Sequence, residues 1–168
     1  MTDFTRKLEL EKLSDKRHHF RLRADDDQLS ALAKRLKIVG VNALSGYVEV
    51  KRGKKLLYVS GEVQASLTRT CVTSLEEMTE DIDETFELKF DPEPMTSTQH
   101  GEMEIDLDSP EPLIGGVLDV AGLLVDQVSL AMVDYPRKKG SEALKDTSDQ
   151  PTLSPFAILK SHNLKGDE

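Results

Sequence analysis

The sequence predicts an α+β domain: a twisted, mostly antiparallel sheet or partial barrel with two packing helices. Two patterns predict it. Apolar and polar residues alternate through 44–50, through 57–67 and towards Phe90, the period of half-buried strands. Two other stretches, about 27–38 and 117–132, space their apolar residues by three and four, the period of a helix with one buried stripe.

The elements follow in order. Phe4 to Leu13 and His19 to Ala24 show partial alternation, with Phe20, Leu22 and Ala24 opposite Arg21 and Arg23. Asp25-Asp26-Asp27 then offers an N-cap and first-turn acids for a helix, where the helix dipole favours them. Leu29, Leu32, Ala33 and Leu36 form its stripe, and Gly40 is its predicted stop. In the next segment Leu44, Gly46, Val48 and Val50 alternate with Tyr47, Glu49 and Lys51. A turn at Lys51-Arg52-Gly53-Lys54-Lys55 leads to Leu57, Val59, Gly61, Val63, Ala65 and Leu67 on one face of a return strand. A return strand of about twelve residues is expected to twist or bulge, with Gly61 the predicted place. Ile82 to Phe90 is the next strand, with Phe86, Leu88 and Phe90 inward.

Residues 91–116 are rich in proline and acids and predict a long loop, with Glu102 to Leu107 as a short edge strand. The second helix, Val117 to Met132, buries Leu118, Ala121, Leu124, Val125, Val128 and Met132. Residues 1–140 are expected to form one domain. Residues 141–168 read as a polar tail with a short apolar segment at 155–160 that docks on the body or on a partner.

Charge is strongly segregated. Residues 1–70 carry a net +6, residues 71–111 a net −13 and residues 112–168 a net −2, which gives the overall −9. The acidic block begins at Cys71, the single cysteine, which excludes an internal disulfide and a cysteine-rich metal site. No apolar run approaches the roughly 20 residues that span a bilayer. The N-terminus has no apolar stretch behind its charges, so a cytoplasmic location without a secretory signal is expected.

Candidate chemistry is sparse. Cys71 lacks a base nearby in sequence, and its acidic neighbours are expected to raise the thiol pKa. His18, His19, His100 and His162 do not have metal-ligand spacing, so no metal and no cofactor are expected. Phosphate-loop, dinucleotide and nucleophile-elbow motifs are absent. Two features favour interaction instead. Lys51, Arg52, Lys54 and Lys55 crowd a hairpin tip, and Arg137, Lys138 and Lys139 form a second basic cluster; both are RNA-binding candidates. Glu102, Glu104, Asp106 and Asp108 alternate in the acidic block and are candidates for docking a basic protein.

The order of several weak motifs resembles the YceD-like family of bacterial proteins, in its proteobacterial form. They are Cys71-Val72-Thr73-Ser74-Leu75-Glu76, a strand ending at Phe90, an acidic proline-rich loop, Leu118-Asp119-Val120, Asp126 to Met132 and Asp134-Tyr135-Pro136-Arg137. Upstream, Leu8 to Leu13 and Leu29 to Leu36 fit the opening strand and helix, and Pro155 to Lys160 fits the C-terminal segment. Cys71, Leu75, Asp119 and Pro136 mark the family pattern. The resemblance implies a non-enzymatic factor in accumulation of the 23S ribosomal RNA, with a basic ribosomal protein or rRNA as partner and neither membrane nor DNA. A protein–protein adaptor unrelated to ribosomes is the alternative, and an enzyme using the acidic block a distant third. Many members carry Cys-x-Arg-Cys-Leu where this chain has Cys71-Val72-Thr73-Ser74-Leu75, and some have further cysteines where it has Pro136 to Gly140. The metal site those cysteines suggest is therefore not implied here.

Overall fold

The computed structural model describes residues 3–14, 16–92 and 109–141. Five strands form an open sheet in the order β2 (Arg17–Arg23), β3 (Gly40–Arg52), β4 (Leu57–Thr70), β5 (Glu77–Asp91) and β6 (Glu111–Pro112). The first four are antiparallel neighbours; the two-residue β6 runs parallel to the end of β5. A separate two-stranded ladder joins β1 (Lys7–Glu9) to β7 (Val117–Asp119). The helices are α1 (Asp26–Leu36) and α2 (Val120–Ala131). The expected α+β class is present, as an open sheet and not a closed barrel.

Period-two patterning sets the two faces of the sheet. Leu44, Val48, Val50, Leu57, Val59, Val63, Ala65 and Leu67 are all buried, as are Ile82, Phe86 and Phe90 on β5. They join Leu32 of α1 and Val120, Ala121, Leu124, Val125 and Val128 of α2 in one core. Aliphatic burial on this scale is the main favourable contribution to folding. Gly46 makes room for α2: a Cβ added there would lie 2.8 Å from both methyl carbons of Leu124.

Four local expectations are corrected. No bulge occurs at Gly61, where pairing to Val48 and Phe86 is unbroken. Gly61 serves packing instead, since an added Cβ would sit 2.8 Å from the Phe86 ring; the register shift lies between Val41 and Ala43. Helix α1 has the expected Asp25 cap, completed by Gln28 as a capping box. It stops at Lys37, which takes a left-handed φ of 56° and donates its N–H to Ala33 and Lys34, whereas Gly40 opens β3. The second helix begins three residues late, because Val117–Asp119 pairs with β1. Asp119 caps it, accepting from Gly122 N at 3.2 Å and from Arg6 N at 2.8 Å. Finally, the N-terminal strand is confined to Lys7–Glu9 and runs into a 3₁₀ turn at Leu10–Lys12. The proposed edge strand 102–107 and the apolar segment 155–160 lie outside the described residues. Among the described residues no helix is long and apolar enough to cross a membrane.

Candidate functional site

The helices cover one face of the sheet; the other carries the polar half of each alternation. Strand register places its residues in cross-strand rows. Arg17, Lys51, Tyr58 and Lys89 make the row nearest the β3–β4 tip, followed by His19, Glu49, Ser60 and Glu87. Next come Arg21, Tyr47, Glu62 and Thr85, then Arg23, Ser45, Gln64 and Asp83. Strand β2 therefore contributes Arg17, Arg21 and Arg23 to this face, and β5 contributes Glu77, Asp81, Asp83 and Glu87. The face is basic along one side, acidic along the other and basic again at the tip. Its shallow depressions are lined by Arg21, Tyr47 and Glu62, and by Lys51, Tyr58 and Lys89. His19 stacks on Tyr47 with centroids 5.7 Å apart and also bonds its hydroxyl.

The predicted RNA candidates fall into two separate groups. Lys51, Arg52, Lys54 and Lys55 gather at the tip and are all exposed. Arg52 donates to Leu10 O at 3.2 Å, tying the tip to the N-terminal turn. Lys51, Lys54, Lys55 and the newly adjacent Lys89 join none of the ion pairs among the described residues. Arg137, Lys138 and Lys139 follow α2 and lie by the Cys71 turn, at the other end of β4. Fourteen residues of β4 separate the two clusters, about 45 Å of extended strand, so they do not form one patch. The predicted docking residues Glu102, Glu104, Asp106 and Asp108 lie outside the described residues. The described acids that share a face are those of β5, which sequence periodicity could have grouped.

At its other end the sheet closes around Cys71. The Cys71 N–H donates to Glu76 O and its carbonyl accepts from Leu75 N, which makes the β4–β5 turn. Leu75 adopts a left-handed φ of 59° and stays 70% exposed. Val72 N donates to Pro136 O at 2.9 Å, binding two of the family-pattern segments together. The Cys71 sulfur, fully buried, accepts from Ser74 N at 3.4 Å and from Lys138 N at 3.3 Å, with Ser141 Oγ at 3.7 Å. Its pKa is consequently lowered to about 6, first by the Lys138 N–H and then by Ser74, with burial opposing. The expected rise from acidic neighbours is overturned. Glu76 points its carboxylate at Lys138 Nζ, 2.8 Å away, and the donors that reach the sulfur are the backbone N–H groups of Ser74 and Lys138. Positions 71, 74, 138 and 141 converge here with paired three-residue spacing, but only the first is cysteine. Among the described residues no three His, Cys, Asp or Glu side chains converge as metal ligands would.

A partly buried ion pair secures the same end. Arg69 and Glu80, side chains 12% and 10% exposed, approach to 2.6 Å. Arg69 also donates to Val133 O, and Glu80 accepts from Val133 N. The chain leaving α2 is thereby clamped to the sheet and carries Pro136 and Lys138 to the Cys71 turn.

Comparison with known families decides what these junctions belong to. The family model described as "Large ribosomal RNA subunit accumulation protein YceD" matches residues 59–160, more than half of the chain. The chain belongs to the YceD family. No curated protein and no solved structure gives a match. The YceD match contains the Cys71 turn, the acidic strand β5, the Asp119 cap and the Pro136 segment. Lys51, Arg52, Lys54, Lys55 and Tyr58 precede it. The family's name connects the chain with accumulation of large-subunit ribosomal RNA.

Proposed function

We propose that this protein supports large-subunit rRNA accumulation without catalysis, by holding a basic ribosomal protein on strand β5. One observation carries the reading: β5 presents a line of acids that have no cation partners among the described residues. Glu77, Asp81, Asp83 and Glu87 face outward opposite Thr70, Ser66, Gln64 and Ser60. None of the four joins an ion pair among the described residues; Asp81 accepts a hydrogen bond from Ser66 at 2.7 Å. Asp81 and Asp83, two residues apart on one strand face, repel each other, which favours a partner that neutralises them.

The strand also has backbone to offer. Among the described residues its far edge is paired only at Phe90 and Asp91, by β6. An extended segment can add to such an edge through main-chain hydrogen bonds, its alternate side chains reading the face beside it. Lysines and arginines would meet the acids of β5, and the net charge of −9 would steer that encounter. Charge on an edge strand also prevents self-association, so the partner has to be tested directly. Purified large-subunit proteins, titrated individually at low and high salt, should bind the native chain. They should bind at least tenfold more weakly to a variant carrying Glu77→Gln, Asp81→Asn, Asp83→Asn and Glu87→Gln. Equal binding of both chains would overturn the reading.

A further inference from the structure

The cation row at the hairpin tip has a different use. We propose that Tyr58, flanked by Lys51 and Lys89, is a stacking platform for an unpaired nucleotide of single-stranded RNA. It is independent of the β5 reading: the residues differ, and all but Lys89 lie outside the YceD match.

Three observations converge. Tyr58 is 46% exposed at the tip end of β4, a strand flanked on both sides by β3 and β5, on the uncovered face. Its direct cross-strand neighbours are Lys51 on β3 and Lys89 on β5, and Lys51 in turn faces Arg17 on β2. Like charges placed directly opposite destabilise a sheet. Arg17 reaches diagonally to Glu49 at 2.9 Å, whereas among the described residues Lys51 and Lys89, on either side of the ring, join no ion pair. The ring is also held in place. A Cβ at Gly53 would lie 2.8 Å from its Cε2 carbon, so the bare backbone of the turn packs against the edge of Tyr58. The result is an oriented aromatic at the rim of a depression of about 260 Å³.

The chemistry selects the ligand. A base needs a free π-face to stack, which an unpaired nucleotide offers and a duplex does not. Phosphates on both sides of that base need cations about one nucleotide away, which Lys51 and Lys89 supply, with Arg52, Lys54 and Lys55 further along the tip. Glu49 and Glu87 occupy the next row, and their repulsion keeps the phosphates on the tip side of the ring. An acidic peptide would find the same cations but make no use of the ring.

Fluorescence anisotropy with a labelled single-stranded RNA oligonucleotide tests this, with the same sequence as a blunt duplex and polyglutamate as competitor. The native chain should bind the single strand more tightly than the duplex, with affinity falling as salt rises. Tyr58→Ala should weaken the single strand about 5- to 150-fold, the range for losing one stacked base, and leave the duplex unchanged. Tyr58→Phe should restore it. Joint replacement of Lys51, Arg52, Lys54 and Lys55 by Ser should abolish RNA binding, and circular dichroism melts should stay superimposable. Equal affinity of the native, Tyr58→Ala and Tyr58→Phe chains overturns the platform, as does competition by polyglutamate at equal charge. Neither result would bear on the β5 titrations.

Discussion

The two ends of strand β4 are built in opposite ways. At Leu57 the sheet ends in an open tip, whose turn is closed by a backbone bond from Gly53 to Leu56 and whose lysines have no carboxylate partners among the described residues. At Thr70 it ends in a turn tied by three backbone bonds, two donors to sulfur and two ion pairs. The tied end spends its polar groups on itself and fixes the chain after α2. The open end keeps its polar groups available. Cys71, Leu75 and Pro136 of the family pattern lie at the tied end, so these motifs record how the sheet is locked, while among the described residues β5 and the tip carry exposed charge.

The largest separation of the two ends should come from Arg69→Ala. It leaves Glu80 partly buried with one hydrogen bond, to Val133 N, and removes the bond to Val133 O. Breaking such a pair by removing one partner costs about 3 kcal/mol. Chemical denaturation should show that loss, while the folded variant keeps its RNA affinity. The fourfold Ser variant of the tip should do the reverse, moving stability by less than about 0.5 kcal/mol. A change in RNA affinity for folded Arg69→Ala would break the proposed separation.

A smaller effect distinguishes Cys71 by pH. Its thiol is held at about 6 when folded, against an ordinary value of 9.0. A depressed folded pKa contributes stability that is complete above the unfolded value and is lost as pH falls through the folded one. The stability of the native chain relative to Cys71→Ala should therefore rise between about pH 6 and 9 and level off outside that window. Denaturation midpoints across the range check it; a constant difference would mean that the N–H donors do not hold a thiolate.

What the sequence revealed follows from what each pattern depends on. The hairpin faces were legible, because Leu57, Val59, Val63 and Leu67 need only their own alternation to declare a side. So was the Asp25 cap, whose partner Gln28 is three residues away. The start of α2 was not: Val117-Leu118 fits a helical stripe as well as a strand, and pairing with β1, more than a hundred residues earlier, decides it. The Lys37 stop depended on a backbone conformation that residue type does not announce. Alternation placed Tyr58 and Lys51 outward, but their row with Arg17 and Lys89 required the register of three strand pairs. The Cys71 pKa was misread because the donor that matters most comes from position 138, not from the adjacent acids.

The smallest effect sharpens that last point. Lys138 acts on Cys71 mainly through its backbone N–H, and its ammonium is engaged by Glu76. That exposed contact lowers the Glu76 pKa and raises that of Lys138, but pairs in water contribute little to stability. Lys138→Ala keeps the N–H and removes the ammonium. The melting temperature should hardly move, and the thiolate absorbance of the single cysteine should still titrate well below its ordinary value, displaced slightly upward by the lost positive charge. Lys138→Pro removes the donor itself and should raise the thiol towards 9.0 by more than Lys138→Ala does, with the Ser74 N–H still in place. If the two variants titrate alike, the side chain and not the backbone sets the thiol, and the tied end is held by charge instead of by geometry.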